Sequence, residues 1–270
     1  ELDEYYLTRT EMAIMREHGP DMARCVGDHA LIVELGSGSS QKTRLLLNEL
    51  KAPVGYVPID ISREHLIASA QKLAARFPKL DILPVCADYH QSFELPTPTT
   101  PPTRTVAYFP GSTIGNLHHE EARRFLKRIA RLVGEGGGLL IGVDLKKDPA
   151  VLAPAYSDAK GVTAAFNFNL LHRINRELGA DFDVDQFHHE ARWNEKLGRM
   201  ESHLISQCDQ RVTVADHTFH FSPGESIWTE CSYKYTLDAF AALAEDFTIE
   251  QIWTDERNYF SVQYLTVGQA

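Results

Sequence analysis

The sequence has few cysteines and no long apolar run. Its four cysteines, Cys25, Cys86, Cys208 and Cys231, are scattered without C-x-x-C spacing. This argues against a disulfide framework or a zinc site, so we expect reduced thiols and a cytoplasmic location. No segment has the length of an apolar membrane-spanning helix, and no secretory signal peptide is recognisable. The first residue is Glu1 instead of Met, and we expect further residues to precede it.

Positive charge is also scarce. With 27 Lys and Arg against 37 Asp and Glu, the formal net charge is −10 at pH 7. Binding a nucleic-acid backbone requires clustered Lys and Arg, so we expect no nucleic-acid partner, and nothing favours an anionic membrane. At 270 residues with 43% hydrophobic content, the chain can hold a full α/β domain and a sizeable insertion.

The most prominent motif lacks one glycine. Residues 30–40, ALIVELGSGSS, predict a buried strand, a tight turn and a helix that starts near Gln41. Glycines at such a turn permit positive φ and a close approach of the backbone to a nucleoside-bearing cofactor. Ser39 and Ser40 are followed by Gln41, which stands where the dinucleotide-binding G-x-G-x-x-G would need its third glycine. The turn alone is therefore a weak signal, and NAD is disfavoured.

Strands and helices alternate along the first half of the chain. The pattern predicts strands at the ranges 54–61, 81–86, 104–109 and 139–145. Helices separate these strands, and an N-terminal helix over residues 8–18 is predicted to end at Gly19-Pro20. This rhythm predicts an α/β fold with a parallel sheet and right-handed crossovers.

The alternation stops near residue 147 and resumes near residue 236. The segment between holds a predicted helix and several strand-like runs, which we interpret as an inserted α+β subdomain. The last part predicts a closing antiparallel hairpin, which is typical of class I (Rossmann-like) methyltransferases and uncommon in NAD-binding dehydrogenases. We therefore predict a methyltransferase domain over residues 11–146 and 236–270, and a substrate-recognition subdomain over residues 1–10 and 147–235.

Ligand-type side chains stand at three successive strand ends. Glu34 precedes the glycine turn, Asp60 ends the second strand, and Asp88-Tyr89 follow the third. A carboxylate after the second strand can accept both ribose hydroxyls, and the third pair can meet the adenine amino group and ring face. Together they predict S-adenosylmethionine (SAM) as the cofactor, with S-adenosylhomocysteine as its product. The alternative makes Asp60 a helix-capping acid and Tyr89 a core aromatic.

The fourth predicted strand runs into FPGSTIGN, residues 109–116. Common DNA and protein-glutamine N-methyltransferases have [ND]-P-P-[YF] there. Gly111 and Gly115 permit close backbone approach, and Asn116 offers both a donor and an acceptor. The alternative is a structural turn with Asn116 as a helix cap.

Three stretches carry a resemblance to a known family. They are FPGSTIGNL (109–117), SDAKGVTAAFNFNLLHRINRELGADFD (157–183) and WTECSYKY (228–235). They resemble the SAM-dependent histidine Nα-methyltransferases of ergothioneine biosynthesis, and the similarity runs over nearly the whole chain. Members of that family methylate the α-amine of L-histidine three times to give hercynine, so the resemblance implies L-histidine as the substrate.

The resemblance also implies roles for individual residues. Gly111 and Asn116 match positions that hold the α-amine and carboxylate of the substrate. Tyr156 matches a tyrosine that binds the carboxylate, and Tyr6 one whose hydroxyl reaches the imidazole region. The implied catalytic residues are Tyr6, Gly111 and Asn116. The implied cofactor contacts are Gly36, Lys42, Asp60, Asp88 and Tyr89.

Glu230 and Ser232 match the pair that recognises the imidazole ring. They are two residues apart in a predicted strand, so both side chains point to one face. A carboxylate and a hydroxyl there could engage both ring nitrogens. The alternative is a solvated strand face, since Glu and Ser are usually exposed.

Other interpretations stay open. The same chemistry could act on a tryptophan-derived amine or a sulfur-bearing histidine derivative, or the chain could bind SAM without turnover. His118-His119 and His188-His189 lack the i, i+4 spacing and the Cys partners of a zinc site, so we predict no metal. We expect a monomer.

Overall fold

The computed structural model describes residues 2–38, 41–91 and 93–268. The chain divides into two compact units. The larger unit comprises Leu7–Leu145 and Tyr235–Ala270, and the smaller unit comprises Glu1–Tyr6 and Lys146–Lys234. Ser39 and Ser40 of the predicted glycine turn lie outside the described residues. Within the described ranges, no helix is long and apolar enough to cross a membrane.

Helices and strands alternate through the first half of the chain, and strands predominate after α6. The first elements are α1 (Leu7–Val26), β1 (Ala30–Leu35), α2 (Gln41–Glu49), β2 (Gly55–Asp60), α3 (Arg63–Arg76), β3 (Asp81–Ile82), β4 (Val85–Cys86), β5 (Arg104–Phe109), a 3-10 helix (Thr113–Asn116), α4 (His119–Val133) and β6 (Gly138–Asp144). The next are α5 (Pro149–Tyr156), α6 (Val162–Leu178), a 3-10 helix (Val184–Gln186), β7 (Phe187–Asn194), β8 (Arg199–Ser206), β9 (Gln210–Val214), β10 (His217–Phe221) and β11 (Ser226–Tyr233). The last are α7 (Leu237–Leu243), β12 (Thr248–Thr254) and β13 (Phe260–Thr266).

The larger unit is built on an eight-stranded sheet. Its strand order is β12-β13-β6-β5-β1-β2-β3, and β4 also pairs with β2. The strands from β1 to β6 pair in parallel, whereas β13 is antiparallel to both β6 and β12. Every residue of β1 and β6 is buried, as expected of central parallel strands covered on both faces. The predicted parallel sheet and closing hairpin are confirmed.

The strand order reverses at β1. The chain proceeds from β1 to β2 and β3 on one side, and returns to β5 on the other side of β1. In open α/β sheets, ligands bind at the carboxyl ends of the strands where the order reverses. The turn at Gly36 follows β1 and the loop at Gly111 follows β5, so both flank this point.

The smaller unit contains two antiparallel sheets and two α-helices. One sheet has the order β11-β8-β7, and the other consists of β9 and β10. Its buried cluster comprises Leu171 of α6, Phe187 of β7 and Leu204 of β8. The partly buried Phe182 and Phe221 pack against this cluster, so α6 closes over the sheets through apolar contacts.

The predicted N-terminal helix does not end at Gly19-Pro20. Helix α1 continues through both residues, and its buried side includes Gly19, Met22 and Val26. A Cβ on Gly19 would lie 2.9 Å from Cγ of Glu49, so this glycine permits close packing against α2. An interior proline costs about 3 kcal/mol. Burying large apolar side chains stabilises by about 1.5–3 kcal/mol each and offsets that cost.

The third predicted strand is broken into two short pieces. The range 81–86 forms β3 and β4, and Leu83 and Pro84 lie between them. Proline has no N–H to donate to a strand ladder, which accounts for the break. Helix α5 and strand β7 were not predicted, because neither shows a clear apolar period in the sequence.

Candidate active site

The glycine turn after β1 is held against the end of β2. The N–H of Gly36 donates to the carbonyl oxygen of Ile59 at 2.8 Å. Gly36 has φ of +75° and Gly38 has φ of +43°, conformations that disfavour side chains. A Cβ on Gly36 would also lie 3.4 Å from Cε1 of Tyr89. The predicted aromatic ring therefore lies directly against the predicted turn.

The carboxylates at the ends of β2 and β4 lie near Tyr89. Burial raises the pKa of the half-buried Tyr89 hydroxyl, and the charges of Asp60 and Asp88 raise it further. Asp60 accepts from the N–H of Ser62 at 2.8 Å, and Asp88 accepts from that of His90 at 2.8 Å. Ser62 and not Asp60 is the N-cap of α3, so the alternative interpretation of Asp60 as a helix-capping acid is not what the structure shows. The bond to Ser62 is a local bond within the turn after β2. It uses one carboxylate oxygen and leaves the other for a ligand.

Lys42 and Gly111 are joined by a residue that the sequence did not single out. Glu11 of α1 is 1% exposed and accepts from the N–H of Gly111 at 2.9 and 3.0 Å. The same carboxylate forms an ion pair with Nζ of Lys42. Gly111 has φ of +85°, and a Cβ there would lie 3.4 Å from Nζ of Lys42. The sequence feature that could have identified Glu11 is its position on the apolar face of α1, four residues after the buried Leu7.

Glu34 lies buried at the end of β1. It accepts from Oγ1 of Thr43 at 2.6 Å and from the hydroxyl of Tyr56. Burial raises the pKa of Glu34 to about 7, while the two hydrogen bonds and the charge of Lys42 act in the opposite direction. Glu34 therefore anchors the glycine turn to α2 and β2.

A cavity of about 250 Å³ opens beside the turn. Its lining includes Gly36, Ser37, Lys42 and Gly111. Oγ of Ser37 is buried and has no hydrogen-bond partner among the residues described. An unsatisfied buried polar atom is costly, and a polar ligand would relieve it. The polar lining and the closely approaching glycine backbone fit the expected cofactor, SAM.

Asn116 ends the short helix that follows the Gly111 loop, and its side chain is exposed. It does not cap α4, because the N-cap is His118, which forms a capping box with Glu121. The alternative interpretation of Asn116 as a cap is therefore wrong. The loop before it is fixed by Ser112, whose Oγ accepts from the N–H of Asp144 at 2.9 Å.

In the smaller unit, Tyr156 and Ser232 lie in direct contact. The Tyr156 hydroxyl donates to Oγ of Ser232 at 2.8 Å. Nζ of Lys234 donates to both oxygens, at 2.6 Å to Tyr156 and 2.8 Å to Ser232. All three residues are buried. We name this group the hydroxyl–lysine triangle.

Glu230 lies on the same strand face as the triangle. The alternation of Glu230, Ser232 and Lys234 places their side chains on one side of the chain. Burial raises the pKa of the half-buried Glu230 carboxyl, and the charge of Lys234 lowers it. Lys234 was not predicted from the sequence, although it follows Ser232 at the same two-residue interval that separates Ser232 from Glu230. The solvated strand face of the alternative interpretation is not what the structure shows, since Ser232 and Lys234 are buried.

The last predicted substrate residue, Tyr6, is also buried and is held by a lysine. Nζ of Lys147 donates to the Tyr6 hydroxyl at 2.7 Å and lies 4.6 Å from the centroid of its ring. This bond fixes the direction of the hydroxyl.

The fold has counterparts among solved structures. One is 1,6-didemethyltoxoflavin-N1-methyltransferase of Burkholderia thailandensis, with bound 1,6-didemethyltoxoflavin and S-adenosylhomocysteine. The TM-score is 0.51 at 12% identity, and the match covers 95% of this chain and 79% of that chain. This likeness shows the fold alone. The fold is that of the class I SAM-dependent methyltransferases, as predicted.

Sequence comparison narrows this class to a family. A model described as histidine-specific, SAM-dependent methyltransferase matches residues 1–267. Histidine N-alpha-methyltransferase of Mycobacterium tuberculosis is 41% identical over 270 residues, which cover 97% of this chain and 82% of that protein. Ergothioneine biosynthesis protein 1 of Neurospora crassa is 31% identical, over 96% of this chain and 30% of its own length.

The chain therefore belongs to the family of histidine-specific, SAM-dependent methyltransferases. It is an enzyme that uses SAM to methylate histidine, and the predicted family and cofactor are confirmed.

Proposed function

We propose that the enzyme methylates the α-amine of L-histidine three times, giving hercynine for ergothioneine biosynthesis. The names of the two relatives support the position of methylation and the pathway. The observation that carries the proposal is the strand face with a half-buried carboxylate at Glu230 and a buried hydroxyl at Ser232. Such a face suits a polar ring that can hydrogen-bond at two points.

Glu230 and Ser232 hold the imidazole in this proposal. A neutral imidazole has one N–H donor and one nitrogen acceptor. The Glu230 carboxylate accepts from the first, and the hydroxyl group bonds to the second. An indole has a donor but no acceptor and would leave a buried polar group unpaired, which opposes tryptophan-derived substrates.

The amino-acid end of the substrate is held by other residues. Tyr156 binds the carboxylate, Gly111 and Asn116 position the α-amine and carboxylate, and the Tyr6 hydroxyl faces the imidazole region. The bond from Lys147 supports this role because it holds the Tyr6 hydroxyl in place.

The residues that would hold SAM belong to the larger unit. They are Gly36, Lys42, Asp60, Asp88 and Tyr89. When bound, SAM supplies an electrophilic methyl group, and the protein contributes chiefly by positioning the amine for attack. Asp60 would accept from the ribose hydroxyls, and Asp88 with Tyr89 would hold the adenine.

The amine must be neutral to attack. The pKa of a chain-terminal α-amine is about 8, and the neighbouring carboxylate of a free amino acid raises it further, so the neutral amine is a minor form at physiological pH. Water or a nearby tyrosine takes the proton, and no strong general base is required. Anchoring the substrate through Tyr156, Glu230 and Ser232 leaves the amine free to gain methyl groups. The imidazole and carboxylate contacts then persist through all three transfers.

The test is Glu230→Ala, with the exposed Glu195→Ala as a matched control. We expect the KM for histidine to rise about tenfold or more in Glu230→Ala, because a charge-assisted hydrogen bond is lost. SAM affinity should stay within about twofold, and Glu195→Ala should behave as wild type. Mass spectrometry of the wild-type reaction should show mono-, di- and trimethylhistidine. Unchanged histidine kinetics in Glu230→Ala would refute the imidazole assignment.

We also propose a cytoplasmic monomer that binds no nucleic acid. The free thiols of all four cysteines support a reducing compartment. The net charge of −10 opposes binding to a phosphate backbone.

A further inference from the structure

Helix α4 concentrates positive charge in a protein that is acidic overall. Five of its residues are basic, whereas the whole chain has a net charge of −10. They are Arg123, Arg124, Lys127, Arg128 and Arg131. At 3.6 residues per turn, all five lie within about 140° of the helix circumference and within about 12 Å along its axis. We name this surface the α4 basic face.

The α4 basic face has no acidic partner among the residues that the structure describes. None of its five side chains forms an ion pair or a hydrogen bond within those ranges. Arg124, Lys127 and Arg131 are exposed. Arg123 and Arg128 are half-buried, and the Nε of each has no hydrogen-bond partner there. Like charges four residues apart on a helix repel each other, so an anionic partner would relieve this repulsion.

The spacing of the charges matches a second helix that carries carboxylates. Arg123, Lys127 and Arg131 are four residues apart, which is a step of about 6 Å along the helix axis. Glutamates four residues apart on another helix have the same step. Four of the five basic residues are arginines, whose planar guanidinium group binds a carboxylate through two parallel hydrogen bonds. A single small anion would engage only part of a row about 12 Å long.

A crevice of about 270 Å³ adjoins the α4 basic face. Its lining combines Arg128 and Arg131 with the side chains of Tyr89, Phe93 and Leu132. A large apolar side chain could be buried there beside the two guanidinium groups. The surface therefore suits an acidic segment that also carries an apolar residue.

Other polyanions fit this surface less well. A helix binds a lipid surface by inserting apolar side chains into it. The apolar side of α4, which includes Phe125, Leu126 and Ile129, is instead buried within the protein. A nucleic acid presents a continuous run of phosphates, and the acidic remainder of the chain would repel those that extend beyond the basic face.

We propose that the α4 basic face is a docking surface for an acidic helical segment of another protein, with a large apolar side chain of that segment in the adjoining crevice. None of the five basic residues is assigned to SAM or histidine. Docking and methyl transfer can therefore be tested separately.

The probe is a synthetic alanine-rich peptide of about 20 residues, long enough to form a helix. It carries glutamates four residues apart along one face and a leucine midway. Fluorescence anisotropy measures its affinity for the full chain, in wild type and in the triple variant Arg124→Glu/Lys127→Glu/Arg131→Glu, which we name the α4 variant.

The matched control reverses three exposed charges elsewhere in the larger unit, as Lys72→Glu/Arg76→Glu/Lys79→Glu. Both triple variants change the net charge equally, so they differ only in where the charge is changed. A second peptide has glutamine in place of glutamate, and a third has alanine in place of the leucine.

We expect the α4 variant to bind the glutamate peptide at least about tenfold more weakly than wild type, because three attractive contacts become repulsive. The control variant should stay within about twofold of wild type. Binding to wild type should weaken as salt rises from about 50 to about 300 mM, which screens exposed charges. The glutamine peptide should not bind, and the alanine peptide should bind about threefold or more weakly, because apolar burial is lost.

Several results would overturn the inference. They are no binding of the glutamate peptide to wild type, equal binding by wild type and the α4 variant, and equal binding of the glutamate and glutamine peptides. Equal binding of the leucine and alanine peptides would overturn the role of the crevice.

Two further probes test for phosphate recognition. They are a single-stranded DNA of about 20 nucleotides and vesicles of phosphatidylserine and phosphatidylcholine. Tighter binding of either than of the glutamate peptide, lost in the α4 variant, would also overturn the inference. If the α4 variant does not fold by circular dichroism, Arg124→Gln/Lys127→Gln/Arg131→Gln replaces it, and unchanged peptide affinity in that variant refutes the docking surface.

Discussion

The contact between Glu11, Lys42 and Gly111 can be tested by Glu11→Gln. The substitution keeps nearly the same shape and one acceptor oxygen for the N–H of Gly111. It removes the negative charge that pairs with Lys42 and places an amide group, which can donate, beside the ammonium. The perturbation is thus almost purely electrostatic.

The expected loss of stability in Glu11→Gln can be estimated from the burial of the two charges. Glu11 is 1% exposed, whereas the Lys42 side chain is 17% exposed. Breaking a fully buried pair costs about 3–5 kcal/mol. Since Lys42 can partly reach water and Gln retains one hydrogen bond, we expect a loss of about 2–3 kcal/mol. For a unit of this size that lowers the melting temperature by roughly 5–10 °C.

The assay is thermal unfolding with calorimetric measurement of SAM binding. The matched control is Glu17→Gln on the same helix, whose side chain is 75% exposed and which should change stability by less than about 0.5 kcal/mol. We also expect SAM to bind about tenfold more weakly to Glu11→Gln, because Lys42 and Gly111 are no longer held. A variant with wild-type melting and wild-type SAM affinity would refute the reasoning.

Two further predictions concern the glycine turn. The folded-state pKa of Glu34, about 7, lies above the usual 4.5, so its contribution to stability is present below about pH 4.5 and is lost as pH rises through 7. We expect the unfolding free energy of wild type, measured by urea titration and compared with that of Glu34→Gln, to fall by about 2 kcal/mol between pH 5 and pH 8. A pH-independent difference would contradict this. Gly36→Ala should weaken SAM binding about tenfold or more, because its Cβ meets Tyr89 at 3.4 Å. Gly134→Ala, with a similar φ of +71° but no neighbour within 4 Å, should leave SAM binding intact.

Local patterns accounted for most of the larger unit. Strands β1, β5 and β6 each contain a buried run that is mainly apolar, so their type and order could be read directly. The errors arose where tertiary contacts outweighed local preference. Helix α1 continues beyond Pro20, where Gly19 packs against Glu49. The third predicted strand is divided into β3 and β4 at Leu83-Pro84.

The candidate site was predicted in part. The positions of Gly36, Asp60 and Asp88 at strand ends followed from pattern alone. The roles assigned to Tyr6, Tyr156, Glu230 and Ser232 came from resemblance and stay predictions. Glu11 and Lys234 were not predicted, because a single charged residue in a helix or strand is usually solvated.

The sequence by itself determined the fold class, the family and the cofactor, since these depend on residues close together along the chain. The tertiary structure decided which charges are buried and with whom. Glu11 lies 31 residues from Lys42 and 100 from Gly111, and Lys234 lies 78 residues from Tyr156. No local period relates positions so far apart, and a charge acquires its functional strength only when folding removes it from water.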